Sequence, residues 1–320
     1  MLKIYYSNST NPWFNLATED WLFQENLDAD HILFLWRNQA SVIIGRSQNP
    51  WVECHLEKMQ EDGVLLARRQ SGGGAVFHDL GNTNFTFISR KNNYDKHKNL
   101  QIIIAALAQF GIEAIASGRN DLVIEFADGS RKISGNAFKE KIDRAFHHGT
   151  LLINTDLNKL PNYLNPNEKK LAAKGVPSVR SRVTNLVELV PNLNHELICA
   201  AIEKEFLNQH QSTAEKITLD ISNLEKIPSL MNYYKKLYDW DWLYGQTLEF
   251  THQIEERFDW GSVDIRLLVK NGVIEDVKIY SDSLFPDLID EVAENLKNKI
   301  YSTVRISAAL ENLTKKHSTD

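Results

Sequence analysis

The residues best suited to chemistry gather in one stretch, Arg68 to Asp79 (RRQSGGGAVFHD), where two arginines stand against three consecutive glycines before an apolar run resumes. Glycine has no Cβ and enters φ > 0 freely, so such a run can turn backbone N–H groups toward a ligand and let it approach the main chain. The guest that suits it is an anion, since a guanidinium fork matches a carboxylate or phosphate better than an ammonium does. The plainer alternative is a Gly-rich turn with two solvated arginines. The chain contains neither G-x-x-x-x-G-K-[ST] nor G-x-G-x-x-G, so a nucleotide bound here is held by neither of those loops.

Three further stations carry polar chemistry: Ser117–Asp121 (SGRND), Arg131–Ala137 (RKISGNA) and Phe146–Leu152 (FHHGTLL). Strand alternation puts Lys132, Ser134 and Asn136 on one face and Arg131 and Ile133 on the other. From there Lys132 could reach a pocket past Gly135, or stand as a solvent-facing edge lysine. Adjacent His147 and His148 point to opposite faces of a strand, so they do not share one metal ion, and one of them reads as a packed or hydrogen-bonded histidine. Asp121 and Asp79 are the acidic residues near these stations. Either could hold Mg²⁺ through one carboxylate and ligand phosphates, although an Asp beside an Asn is also a turn former. No G-x-S-x-G occurs, and Cys54 and Cys199 lie outside every station, which argues against nucleophilic catalysis. Cations and N–H donors suit instead a substrate carboxylate attacking a phosphate, where positioning and charge stabilisation supply most of the rate.

These stations need a scaffold, and the sequence supplies mixed elements. Asn11-Pro12 reads as an N-cap and first helical position, with Trp13, Leu16, Ala17 and Trp21 following at helical spacing. Strands are expected over 31–37, 41–45, 64–67, 75–78 and 85–88, with a modest helix over 52–61. A helix over 100–110 stops at Gly111. Asp128-Gly129 and Asn271-Gly272 supply the positive φ of two hairpin turns, 122–126 with 131–138 and 262–269 with 273–280. A further strand follows over 149–154, and helices are expected over 195–208 and 286–299. Without a βαβ repeat, the fold class is α+β rather than doubly wound α/β. The 320 residues suffice for two domains, 1–245 and a small one from 246 to 320. From 165 to 182 the text turns basic and is broken by Gly175 and Pro177, which reads as an exposed loop that could close over a ligand. A net charge of −6 argues against broad nucleic-acid binding. No signal peptide or run of 18 apolar residues is seen, so a cytoplasmic protein without a membrane partner is expected. Two isolated cysteines make neither a disulfide framework nor a Cys-based metal site.

Together RRQSGGGAVFHDLGNTNFTF, SGRNDLV, RKISGNAF, FHHGTLLIN and KKLAAKGVPSVRSRVTNL resemble the lipoate-protein ligase A family, as do NPWFNLA, WRNQASVIIGRSQNPW and RFDWGSVDI. The resemblance spans nearly the whole chain. It implies a large mixed-sheet catalytic domain similar to biotin and lipoate protein ligases, plus a small α+β accessory domain. It further implies that lipoate and ATP give lipoyl-adenylate and pyrophosphate, and that the lipoyl group then passes to a lysine of apo lipoyl domains of E2 subunits or of the glycine cleavage H protein. Under it Arg69, Gly74, Ala75, Val76, Phe77 and Lys132 contact ATP. Lys132, Ser71, Gly72, Gly73 and His148 contact lipoate, and Lys174, Gly175 and Arg180 belong to a loop covering the adenylate. Asp121 is the candidate for Mg²⁺. The enzyme is expected to be a monomer without a tightly bound prosthetic group, with octanoate as an alternative acid. An acyltransferase relative working from acyl carrier protein without ATP, a biotin ligase, and a non-catalytic carrier are the competing readings.

Overall fold

A computed structural model of the chain describes residues 1–25, 28–118, 120–164, 183–244 and 251–317. In chain order the strands are β1 (Leu2–Ser7), β2 (His31–Trp36), β3 (Ser41–Ile44), β4 (Leu65–Arg68), β5 (Val76–His78), β6 (Asn82–Arg90) and β7 (Ala114–Ser117). There follow β8 (Asp121–Phe126), β9 (Gly129–Glu140), β10 (Arg144–Leu152), β11 (Ala214–Leu219), β12 (His252–Phe258), β13 (Gly261–Lys270) and β14 (Val273–Ser281). Eight strands form one mixed sheet in the order β11-β1-β2-β6-β10-β9-β8-β7, with β1 parallel to β2 and β11 and antiparallel pairing elsewhere. A small second sheet, β4-β3-β5, and a third, β12-β13-β14, complete an α+β architecture.

Alternation along the strands builds a core on each face of the large sheet. Leu33 and Leu35 of β2 join Phe85, Phe87, Leu122 and Ile133 beneath the helices Lys96–Ala108 and His195–His210. Ile32, Phe34 and Trp36 face the other way, with Phe146, toward the helix Pro12–Glu25. Phe14, Phe23, Phe34 and Phe146 are fully buried there, a contribution of roughly 1.5–3 kcal/mol each. The Pro12–Glu25 helix starts as its sequence requires, with Asn11 Oδ1 accepting from the Phe14 N–H at 2.9 Å. It is capped from outside by the helix Pro228–Tyr238, and its Ile-free middle, Leu16 to Asp20, is buried on every side.

The Asp128-Gly129 and Asn271-Gly272 turns form as expected, with φ of 117° at Gly129, 50° at Asn271 and 75° at Gly272. The single helix expected over 52–61 is instead two short ones, Pro50–Glu53 and Leu56–Glu61. Between them Cys54 is extended and bridges Leu164, while the His55 N–H donates to the Tyr163 carbonyl at 3.1 Å. A non-local strand contact therefore overrides a helical pattern. None of the described helices is long and apolar enough to cross a membrane.

The third sheet packs one face on the helices Pro286–Leu296 and Thr303–His317 around Leu267, Ile274, Val277, Ile279 and Ile289. The boundary expected at 246 falls within 245–250, outside the described residues. This C-terminal part touches the Gly-rich loop directly. Ser281 N–H donates to the Ser47 carbonyl at 2.7 Å, and Gly73 N–H donates to the Ser283 carbonyl at 2.9 Å. Arg46 pairs with Asp287 and Asp290, both on the Pro286–Leu296 helix.

Candidate active site

A cavity of about 180 Å³ opens where the large and small sheets meet. Antiparallel register sets Ile43 against Val76 and Ser41 against His78, so Ile43, Val76 and His78 face the cavity while Val42, Ile44 and Phe77 pack behind. The Pro12–Glu25 helix contributes Leu16, and the large sheet contributes Trp36, Asn84, Ala137, His148 and Thr150. Lys132, Gly135 and Asn120 line it from the β8–β9 side, and Arg69, Gly73, Gly74 and Ala75 from the loop. The result is an apolar slot with polar groups at fixed points.

Lys132 reaches this cavity through an irregularity. β8 pairs Leu122 with Ser134 and Val123 with Lys132, which leaves Ile133 as an extra residue on β9. Such a bulge re-aims side chains because one added residue inverts strand alternation. Ser134, opposite Leu122, and Asn136 keep one face, hydrogen-bonded to each other at 3.3 Å, whereas Lys132, opposite Val123, joins the side of Gly135; Asn136 still borders the cavity. The expected grouping of Lys132 with Ser134 and Asn136 is thereby corrected. Lys132 Nζ pairs with Asp121 Oδ1 at 2.7 Å. Gly135 makes room for it, since a Cβ there would stand 3.2 Å from Nζ.

The Gly-rich loop joins β4 to β5 around β3, and its two arginines face inward rather than into solvent. Arg68 donates to the carbonyls of Gly45, Arg46, Gln48, Trp242 and Leu243. Arg69 donates to the carbonyls of Ile43, Gly72 and Gly74 and to Ser71 Oγ. Burial lowers both guanidinium pKa values to about 10. Arg69 thus fixes the loop's carbonyls. Gly74 has open space where a Cβ would be, whereas a Cβ on Gly72 would meet the Ser283 carbonyl at 2.1 Å. Gly72 therefore serves the close approach of the C-terminal part, and Phe77 packs on Tyr163 with ring centroids 5.5 Å apart.

The two histidines divide as alternation requires. His147 is packed among Phe85, Phe87 and Phe138, with Nε2 bonded to Asn136 Oδ1 at 2.8 Å. His148 faces the cavity; its Nε2 meets Ser71 Oγ and its Nδ1 meets Glu19 Oε1, each at 2.8 Å. Glu19 also accepts from Thr86 Oγ1 at 2.7 Å. Ser71, His148 and Glu19 make a carboxylate–imidazole–hydroxyl chain, but Ser71 lies fully buried outside the cavity lining and accepts from Arg69 Nε at 3.1 Å. The chain ties helix, sheet and loop together.

The structure thus brings Arg69, Gly73, Gly74, Ala75, Val76, Lys132 and His148 to one cavity. Ser71, Gly72 and Phe77 stand behind it, and Asp121 touches it through Lys132. Lys174, Gly175 and Arg180 lie outside the described residues. Among the described residues no group of three or more His, Cys, Asp or Glu side chains is placed to hold a metal. Sequence reasoning missed Glu19, Trp36, His78 and Asn84. The one local signal for Glu19 is its place in a helix whose apolar spacing runs on both sides of it.

Buried histidines give the fold a pH dependence. Burial lowers His78 to about 3 and His195 to about 4, and holds His147 well below its ordinary value. The unfolded chain protonates each near pH 6.5 while the native chain does not, so stability present at neutral pH is lost as pH falls below about 6.5. Each such histidine removes about 1.4 kcal/mol per pH unit between pH 6.5 and its native pKa, so His78 and His195 together cost about 4 kcal/mol at pH 5, with His147 adding in the same direction. Thermal melts are expected to show a Tm at pH 5 about 10 °C below that at pH 7.5. Equal midpoints would contradict neutral burial.

Residues 11–207 match the family model of the lipoyl protein ligase A/B catalytic domain, and residues 247–319 match that of the bacterial lipoate protein ligase C-terminus. The chain is 52% identical over 318 residues to a lipoate-protein ligase A of Bdellovibrio bacteriovorus, covering 99% of this chain and 94% of the relative. It is 53% identical over 321 residues to one of Psychrobacter cryohalolentis, with the same coverage of 99% and 94%. Among solved structures, P. falciparum LipL1 in complex with lipoate aligns with a TM-score of 0.85 at 38% identity, over 97% of this chain and 94% of that one. A lipoate-protein ligase A bound with ATP aligns with a TM-score of 0.63 at 26% identity, over 77% of this chain and 99% of that one. With both of its halves matched and more than half of its residues shared with these relatives, the chain belongs to the lipoate-protein ligase A family.

Proposed function

We propose that this ligase activates lipoate with ATP in the cavity described above and passes the lipoyl group to a lysine of an apo lipoyl domain. The observation that carries the reading is the bulge-turned Lys132 beside the open Gly74–Val76 segment, at the edge of an apolar slot. In the first step a lipoate carboxylate oxygen attacks the α-phosphorus and pyrophosphate leaves. In the second the acceptor amine attacks the acyl carbon, AMP leaves with the bonding pair, and the amine loses a proton. Lys132 leaves Asp121 to hold the carboxylate against the α-phosphate, then stabilises negative charge on the acyl oxygen during transfer. Leu16, Trp36, Ile43, Val76 and Ala137 would clothe the acid's tail and keep water from the mixed anhydride.

Mg²⁺ would enter with the nucleotide, and Asp121, freed from Lys132, fits as a single carboxylate ligand completed by phosphate oxygens. When bound, the ion would neutralise phosphate charge. Residues 1–245 form the catalytic unit and 246–320 the accessory one in this reading. The acceptors are lipoyl domains of E2 subunits and the H protein, met in the cytoplasm by a monomeric enzyme. ATP-free transfer through a cysteine is disfavoured by position and chemistry: Cys54 and Cys199 are buried outside the cavity lining, and burial pushes both thiols up to about 12.

Purified enzyme is expected to release pyrophosphate only when lipoate or a related acid is present, and to modify an apo lipoyl domain only with ATP. Lipoate, octanoate and biotin compared side by side complete the test. Modification from acyl carrier protein without ATP would overturn the reading.

A further inference from the structure

The inner wall of the cavity carries a polar group with an unmet demand. Asn15 Nδ2 donates to the carbonyls of Ser9 at 3.0 Å and Arg37 at 2.9 Å, which fixes its amide orientation. The same NH2 group shares its two hydrogens with Asn38 Oδ1, which lies 2.9 Å away; an Asn38 amide turned the other way would set two donors against each other, so Asn38 presents Nδ2 to His78 Nδ1 at 3.2 Å. His78 Nδ1 must therefore accept, and the proton of the neutral ring sits on Nε2. Burial keeps that ring neutral across the working pH range. Yet Nε2 is buried with no partner among the described residues, and so is Asn84 Nδ2, whose Oδ1 accepts from Asn82 at 3.0 Å. Both side chains line the cavity, against the apolar surfaces of Trp36, Ile43 and Val76.

An unmatched buried donor is unusual, because leaving one unsatisfied costs about 1–3 kcal/mol. A charged acceptor does not suit donors set in this apolar wall, and the carboxylate already has Lys132. A weak neutral acceptor does, and a sulfur of the dithiolane ring is one. We propose that His78, with Asn84 beside it, is a specificity residue that donates through Nε2–H to the dithiolane of the bound acid and so selects lipoate over a plain acyl chain of the same length. The proposal rests on lipoate being the acid that fills this cavity. Octanoate would fill the slot but leave His78 and Asn84 unpaired.

The test compares kcat/KM for acid-dependent ATP–pyrophosphate exchange with lipoate and octanoate. A buried donor worth 1–3 kcal/mol corresponds to roughly a 5- to 150-fold preference for lipoate in the unmodified enzyme. His78→Leu is expected to cut that preference by about tenfold, chiefly through the lipoate KM and with the KM for ATP unchanged, while His78→Gln, which can still accept from Asn38 and donate onward, retains much of it. Since His78→Leu also strips Asn38 of its acceptor, a second arm uses the unmodified protein. Octanoate analogues carrying one thioether sulfur at position 6 or 8 should be used better than octanoate. A preference unchanged within twofold in His78→Leu, or thioether analogues no better than octanoate, overturns the role of His78 while leaving the ligase reading intact. No exchange with lipoate in the unmodified enzyme would bring down both.

Discussion

Replacing Lys132 with methionine is expected to slow lipoate-dependent ATP–pyrophosphate exchange by about 10²–10³-fold, the range found when one preorganised donor is removed from a site of developing charge. Methionine keeps much of the length and removes the cation. Among the described residues the cavity is lined by two cationic side chains, and Arg69 spends its donors on the carbonyls of Ile43, Gly72 and Gly74 and on Ser71, so Lys132 is the described cation left to meet substrate charge. The fold should hardly notice. Lys132 and Asp121 are 29% and 34% exposed, and a pair of that kind contributes at most about 1 kcal/mol. A variant with near wild-type exchange would refute the role, and one with a Tm lowered by more than about 4 °C would show that the pair is structural instead.

Arg69→Met should behave in the opposite way. It removes the donors that satisfy the carbonyls of Ile43, Gly72 and Gly74 inside a fully buried site. Buried acceptors left without partners cost about 1–3 kcal/mol apiece, so for three of them a loss of at least about 3 kcal/mol and a Tm drop near 10 °C are expected. Arg69→Lys should recover little, because an ammonium cannot reproduce a planar fork that serves three carbonyls at once. Activity should fall for lipoate and ATP together, as the loop proposed to shape both sites loosens. If Arg69→Met kept its Tm and raised only the KM for ATP, Arg69 would be a phosphate ligand and not a loop brace.

The stations themselves were legible because their chemistry is local. Asp128-Gly129 makes its turn by backbone preference alone, and three consecutive glycines do mark a close-approach loop. What those glycines approach was not legible: Gly72 meets Ser283, more than 200 residues onward. The charge on Arg68 and Arg69 suggested a ligand, yet most of their donors are absorbed by main-chain carbonyls that no side-chain pattern reveals. Glu19 and His148 are brought together only by the docking of a helix on β10. β1 is likewise invisible locally, because its parallel partners start at residues 31 and 214. The failed helix over 52–61 has the same origin, with Cys54 held straight by Leu164.

A strand has two sides, so the extra residue at Ile133 acts on the hairpin as a change of sign. Its side chain is ordinary core, and another branched apolar residue could stand in its place. The count from the turn to the lysine is what matters. Loss of Ile133 itself would leave Lys132 opposite Val123 and still on the cavity face, whereas loss of one residue between the Asp128-Gly129 turn and Lys132 would set the lysine opposite Ile124, on the side of the helices. The number of residues between the turn and Lys132 therefore sets which face the lysine takes, and under the role proposed for it a one-residue deletion there is expected to silence the ligase while every proposed substrate contact stays in the chain.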